Sequence, residues 1–203
     1  MRLLFFGAQG SGKGTQAKII SKKIGILHLS TGDIFRNAEG ELRKEIDSYI
    51  LAGNLVPDEL TLKMLEKRIY QDDCKEGFIL DGYPRNINQA RTLDEIMGID
   101  YVVEIAISDN VAFERILNRI SCKTCGAIYN IRTLPPKEKD VCDKCNKPLS
   151  RRADDNEEAL RVRLSIYHRE IEPVLKNYKT IKVSGEQPIE AVTKDILINI
   201  GYR

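Results

Sequence analysis

Leu3-Leu4-Phe5-Phe6-Gly7-Ala8-Gln9-Gly10-Ser11-Gly12-Lys13-Gly14-Thr15 decides the reading of this chain. A short apolar run meets a glycine loop. The loop opens a segment with Ala17, Ile20 and Ile24 at helical spacing. Strand, glycine loop and helix together are the context in which a phosphate loop is credible. Glycine lets backbone N–H groups turn inward with no side chain in the way. Those donors and the helix N-terminus form an anion nest. Gly10, Ser11, Gly12, Gly14 and Thr15 would line it, and Lys13 would reach the outer phosphates of a nucleoside triphosphate. The generic pattern has Ser or Thr directly after the lysine, whereas here Gly14 intervenes. A plain surface turn is the competing reading.

Working outward, four more apolar runs read as buried strands, which with Leu3–Phe6 makes five: Ile26–Leu29, Phe78–Leu80, Tyr101–Ile107 and Ile181–Val183. Helical patterns separate them. Leu62, Leu65 and Ile69 share a face, as do Phe113, Ile116, Leu117 and Ile120. Leu160, Leu164, Tyr167, Ile171 and Val174 predict one helix of about four turns. Pro188 and Ile189 start a last helix carrying Val192 and Ile196. The alternation predicts an α/β fold, a five-stranded parallel sheet with helices on both faces. Ligands of such sheets sit beyond the carboxyl ends of the strands, where the glycine loop lies. Two segments break the rhythm and read as inserts: a charged helical one near Thr31–Val56 and a cysteine-bearing one over Ser121–Arg151. Ser30-Thr31-Gly32-Asp33 matches a capping box, and Asp154-Asp155 reads as a cap of the long helix or as a partner in closing the insert.

Cys122-Lys123-Thr124-Cys125 and Cys142-Asp143-Lys144-Cys145 form two CxxC knuckles, the spacing of a four-thiolate zinc site. A closed thiolate set leaves no open position, so the metal would be structural and would staple an insert with little core. Disulfides, a redox pair and iron on the same thiolates are the alternatives. Cys74 reads as an inert, buried thiol. His28 reads as a structural strand residue and His168 as a satisfied surface residue.

With 32 basic and 30 acidic residues among 203, the net charge is +2, against the basic excess of a nucleic-acid binder. No apolar stretch approaches a membrane span, and the N-terminus lacks a signal-peptide layout. The expectation is a cytoplasmic monomer with neither nucleic-acid nor membrane partner, its thiols reduced.

A second motif is Phe78-Ile79-Leu80-Asp81-Gly82-Tyr83-Pro84-Arg85. An Asp ending a strand beside a phosphate loop commonly serves magnesium, directly or through water. With this run, Ser30-Thr31-Gly32-Asp33, Arg36, Asn54-Leu55-Val56, Gln89, Arg119, Arg152 and Arg163, the chain resembles the nucleoside monophosphate kinases. Among them it is most similar to the adenylate kinases, in the bacterial long-lid form with a zinc-binding lid. The resemblance runs from the first strand to the last helix, and Gly14 is ordinary for this family.

The resemblance implies a P-loop kinase fold. Residues 1–29, 57–120 and 152–203 would form the core, 30–56 an AMP-binding insert and 121–151 a zinc-binding lid. ATP would lie on Gly10, Ser11, Gly12, Lys13, Gly14 and Thr15, with Arg119, Ile128, Tyr129 and the Gln187 backbone. AMP would be held by Thr31, Arg36, Asn54, Leu55, Val56, Gly82, Tyr83, Pro84, Arg85 and Gln89, with Arg152 and Arg163. Lys13, Arg85, Arg119, Arg152 and Arg163 would be catalytic, Asp81 would hold Mg2+ through water, and Cys122, Cys125, Cys142 and Cys145 would bind a structural Zn2+. The implied reaction is ATP + AMP = 2 ADP. GTP-using and pyrimidine-nucleotide kinases of the same fold are the near rivals; Thr31, where pyrimidine kinases commonly carry Ala, favours adenine. A zinc-ribbon binding module with a degenerate nucleotide site is the rival from another class. Gln9 departs from the Pro usual in the family, and the AMP insert is slightly short before Leu55.

Overall fold

The computed structural model describes residues 1–202. Strand β1 (Arg2–Phe6) runs into the glycine loop and then helix α1 (Lys13–Ile24). There follow β2 (Leu27–Ser30), α2 (Thr31–Arg36), α3 (Gly40–Leu51) and α4 (Asp58–Ile69). Next come β3 (Phe78–Asp81), α5 (Ile87–Ile96), β4 (Tyr101–Ala106) and α6 (Asp109–Leu117). A small antiparallel sheet is formed by β5 (Arg119–Cys122), β6 (Ile128–Asn130) and β7 (Leu149–Ser150). The chain ends with α7 (Glu157–Ile166), β8 (Thr180–Ser184) and α8 (Ile189–Asn199).

The main sheet has five parallel strands in the order β2-β3-β1-β4-β8, as the alternation predicted. The inner strands β1, β3 and β4 are mostly apolar because both faces are covered, whereas the edge strands β2 and β8 carry His28 and Lys182. In β1, Leu4 and Phe6 pack with Leu65, Leu93 and Val174 on one face. Leu3 and Phe5 pack with Ala17, Ile20, Val192 and Ile196 on the other. Each such side chain contributes about 1.5–3 kcal/mol by leaving water. The central position of β1 fixes where the glycine loop emerges: at the carboxyl edge, between β3 and β4.

Two helix predictions need correction. Ile120 does not share a helix face with Phe113 and Ile116. α6 stops at Leu117, and Ile120 lies in β5, buried in the small core around the cysteines. The four-turn helix over Leu160–Val174 is also not uniform. α7 ends at Ile166, a π turn spans Tyr167–Ile171, and a 3₁₀ segment spans Glu172–Asn177. Pro173 is the physical reason. It has no N–H to give to the carbonyl four residues back, and its ring crowds that carbonyl. The turn widens accordingly, and the Glu172 amide donates to Tyr167 O.

Half of the capping box is present: Ser30 caps α2, its side chain accepting from the Asp33 amide at 3.3 Å, while the Asp33 carboxylate pairs with Arg36 instead of reaching back. α7 is capped by Asn156, which accepts from the Ala159 amide at 2.8 Å, and neither Asp154 nor Asp155 does so. Both carboxylates are committed to arginines. The capping reading of Asp154-Asp155 is therefore corrected; Asn is as good a cap as Asp, and it lies one position further on.

Candidate active site

A cleft of about 1400 Å³ opens at the carboxyl edge of the main sheet. The glycine loop forms its floor. At Gly7 the backbone has φ +144°, and a Cβ there would sit 2.3 Å from Ile105 O and 2.7 Å from Ser11 Oγ. Only glycine allows this approach, which folds the loop down onto β4. Ser11 is buried, and its Oγ has no hydrogen-bond partner. An orphaned polar atom in a loop of inward-facing amides marks a place built for a polar ligand. Lys13 turns back on its own loop, Nζ donating to Gly7 O at 2.5 Å and Ala8 O at 2.9 Å. Burial lowers the Lys13 pKa to about 8. The Asp81 charge opposes this shift, and Arg85 and Arg119 add to it.

Asp81 ends β3 at the cleft and is 9% exposed. Burial works against its charge, yet the His28 hydrogen bond and the Lys13 charge keep its carboxyl below the usual range. His28 Nε2 lies 3.4 Å from Asp81 Oδ2, so this strand histidine supports the acid beside the loop.

Eight arginines line the same cleft, and the five singled out in the sequence, Arg36, Arg85, Arg119, Arg152 and Arg163, come from five different elements or loops. They differ in how they are neutralised. Arg119 grips Asp155 through two bonds, Nε to Oδ2 at 2.8 Å and Nη2 to Oδ1. Arg163 pairs with Asp154 at 2.7 Å and also donates to Ile50 O at 2.9 Å, tying α7 to the end of α3. Arg36 pairs with Asp33 at 2.5 Å. Arg85 and Arg152 make no ion pair among the described residues. Burial lowers the pKa of each to about 10, with Arg163 adding to the effect on Arg85, and Arg119 to that on Arg152. Guanidinium groups stay charged in proteins, so Arg85 and Arg152 stand in the cleft as uncompensated, partly buried cations, beside a Lys13 that also makes no ion pair among the described residues. Such a site is completed by an anion.

Ile128, Leu55, Gly82, Pro84 and Gln187 also line the cleft. The Gln187 side chain turns away, donating to Asp195 Oδ2 at 2.9 Å and Ser184 O at 3.2 Å. Five residues singled out in the sequence lie behind the wall or off it. Thr31 is 1% exposed and donates to Gly82 O at 3.0 Å. Tyr83 is buried, its hydroxyl donating to Gln89 O, and Val56 packs with Phe35 and Ile46. Asn54 is exposed, beyond the residues that line the cleft. Gln89 is 3% exposed, with its amide engaged by the Arg85 backbone and by Asp58. Tyr129 lines the cleft in part, but its hydroxyl accepts from the Asp143 amide at 2.9 Å and lies 3.6 Å from Cys142 Sγ.

The four cysteines of the knuckles converge, their Sγ atoms all within 4.8 Å of one another. Cys122 and Cys145 are 3.4 Å apart, Cys125 and Cys142 3.5 Å. Four sulfurs at about 2.3 Å from a central ion are separated by about 3.8 Å, whereas a disulfide needs about 2.05 Å. The spacing fits a metal cage. The knuckles repeat one design. Gly126 N donates to Cys122 O at 3.0 Å and Asn146 N to Cys142 O at 2.8 Å, and both residues have positive φ. The Cys125 amide holds the Cys122 thiol below its ordinary value. Burial pushes Cys142 up, but the Tyr129 hydroxyl and the Lys144 and Cys145 amides outweigh it and bring the pKa to about 6. Cys74, outside this cluster, is buried, and burial pushes its thiol up, as befits an inert residue.

Comparison with known proteins settles what this assembly is. The family model described as adenylate kinase matches residues 5–183. The chain belongs to the adenylate kinase family. The adenylate kinase of Caldicellulosiruptor saccharolyticus is 41% identical, over 99% of both chains. That of Bacillus cytotoxicus is 44% identical over 99% of both chains, and that of Thermosipho melanesiensis 42% over 97% of this chain and 98% of its own.

Within this adenylate kinase fold, three participants escaped the sequence reading. Asp58 accepts from Gln89 and Asn86, His28 supports Asp81, and Arg115 donates to Gly10 O at 3.3 Å and Gly185 O at 2.9 Å, bracing the glycine loop. Each acts across 28 to 105 positions of sequence, and only the fold brings the partners together.

Proposed function

We propose that this protein is an adenylate kinase that transfers a phosphoryl group reversibly between ATP and AMP, giving two ADP. The observation that carries the reading is the convergence on one cleft of Lys13 and the five arginines singled out in the sequence, of which Arg85 and Arg152 make no ion pair among the described residues. The AMP phosphate is already an anionic nucleophile, so no general base is needed. Positioning and charge neutralisation carry phosphoryl transfer.

Residues 10–15 would cradle the triphosphate of ATP, with Lys13 leaving its loop carbonyls for the outer phosphates. Arg85 and Arg36 suit the AMP phosphate, with Thr31, residues 54–56, Gly82, Tyr83, Pro84 and Gln89 framing that side. Arg119, Arg152 and Arg163 would bridge the transferring group. Ile128, Tyr129 and the Gln187 backbone would flank the ATP base. Magnesium would arrive with ATP as part of the substrate, and the Asp81 carboxylate would hold it through water. Residues 30–56 and 121–151 would act as AMP insert and lid on a core of 1–29, 57–120 and 152–203. Zinc is the ion of choice for Cys122, Cys125, Cys142 and Cys145, since it favours a closed tetrahedron of thiolates. CxxC pairs arranged as a metal cage support a reducing, cytoplasmic setting. No described helix is long and apolar enough to cross a membrane.

The test is a coupled assay pairing each nucleoside monophosphate with ATP and with GTP. AMP with ATP should far outrun CMP and UMP as acceptors and GTP as donor. Equal rates with CMP would move the protein to the pyrimidine kinases.

A further inference from the structure

We propose that Asp58 is a specificity-determining positioning residue, which locks the Gln89 amide in the one orientation that favours a 6-amino over a 6-keto purine monophosphate. The inference rests on the proposed AMP site and adds to it a residue that does not itself line the cleft.

Asp58 is the first residue of α4, and its carboxylate reaches across to the start of α5. Oδ1 accepts from Gln89 Nε2 at 2.6 Å and from Asn86 Nδ2 at 3.0 Å, while Oδ2 accepts from Asn86 Nδ2 at 3.0 Å. Asn86 in turn caps α5, its Oδ1 accepting from the Gln89 amide at 2.8 Å. Gln89 Oε1 accepts from Arg85 N at 2.8 Å, and Arg85 Nε donates to Gly82 O at 2.7 Å. A continuous chain of hydrogen bonds therefore runs from Asp58 through Gln89 to Arg85.

The two ends of this chain leave Gln89 no choice. A carboxylate only accepts, and a backbone N–H only donates. Turning the amide over would set Oε1 against the Asp58 carboxylate and Nε2 against the Arg85 N–H. Gln89 is 3% exposed, so water cannot compensate such a mismatch. The amide retains one donor and one acceptor in fixed places. Adenine presents a ring-nitrogen acceptor beside an amino donor, and a glutamine amide matches that pair. Hypoxanthine reverses both, with a keto acceptor beside a ring N–H. A freely turning amide would serve either base, whereas a locked one serves only the first, because the wrong base leaves buried polar groups unpaired.

The experiment measures steady-state kinetics with ATP as donor and AMP or inosine monophosphate as acceptor, for the wild type, Asp58→Ala and Asp58→Asn. The Ala variant deletes both acceptors. The Asn variant can keep its oxygen where Gln89 and Asn86 both donate, and it serves as the conservative rescue. Asp58→Ala should raise KM for AMP at least fivefold while KM for ATP stays within twofold. Asp58→Ala should also lower the AMP to inosine monophosphate ratio of kcat/KM at least fivefold, and Asp58→Asn should restore most of it. An unchanged ratio overturns the proposal, whether KM for AMP is also unchanged or both KM values rise together with a fall in Tm, which marks a merely structural role. A wild type that ignores AMP removes the functional reading and this inference together. A wild type that prefers AMP, with unchanged variants, removes the inference alone.

Discussion

Arg119 and Asp155 form a two-pronged ion pair in which the carboxylate side chain is 1% exposed and the guanidinium 12%. The pair joins the first strand of the small sheet to the loop before α7, and so ties both ends of the cysteine-bearing segment to the core. Breaking a buried pair from one side leaves an uncompensated charge and costs about 3–5 kcal/mol. Asp155→Ala should lower stability by about that amount, read as a lower urea midpoint at unchanged m-value. A change below about 1 kcal/mol would mean the pair is not held in solution.

Lys13 is the cation nearest the loop amides. Lys13→Met should keep the fold, since the lysine packs no core cluster, and reduce kcat by at least about a hundredfold, because fixed charges aimed at the transferring group supply the largest catalytic effect in such sites. Circular dichroism and turnover on the same preparation would check both halves. Near-wild-type turnover would exclude Lys13 from the chemistry.

The sulfur cage predicts about one tightly bound metal ion per chain. A metal held only by the folded segment adds to folding free energy. Cys142→Ser should lose most of the metal in elemental analysis and lower Tm more than it lowers turnover at mild temperature. A wild-type melting curve indifferent to a strong chelator would count against the site.

His168 accounts for a pH dependence far from the cleft. Its Nδ1 lies 2.9 Å from Glu172 and its Nε2 3.0 Å from Asp109, and these bonds, Glu172 first, raise its pKa above the ordinary 6.5. The raised value means the contribution is complete below about pH 6.5 and is lost as pH climbs through the folded value. The side chain is 49% exposed, so the effect is small, about a few tenths of a kcal/mol. His168→Gln should remove that slope from a plot of stability against pH above 6.5. A slope identical in the variant would assign it to another group.

The parts of this fold that were legible in sequence depend on local pattern. Continuous apolar runs mark strands covered on both faces, and all five core strands appear within a residue or two of expectation. The CxxC pairs carry their own spacing, so the cage could be anticipated without the fold. What could not be read is whatever depends on phase or on distant partners. The π turn after Ile166 follows from one proline acting four residues back, which apolar periodicity does not register. Asp154 and Asp155 resemble caps in isolation, and only the positions of Arg163 and Arg119 show where their charge goes. Gln89 and Thr31 were visible as polar residues in a motif, but their burial depends on α4 packing beside α5 and on the β2–β3 pairing.

The lysine folded back on Gly7 and Ala8 has a thermodynamic consequence. On the proposed role of Lys13, a triphosphate entering the loop would exchange those two carbonyl contacts for its own oxygens, and the heat released on binding would understate the strength of the new bonds. With its pKa lowered to about 8, part of the Lys13 population in the free loop is uncharged in mildly alkaline solution. An arriving anion favours the ammonium form and draws a proton from the buffer. Capture of the nucleotide would thereby be coupled to proton uptake, and around and above pH 8 its calorimetric enthalpy should depend on the ionisation heat of the buffer used.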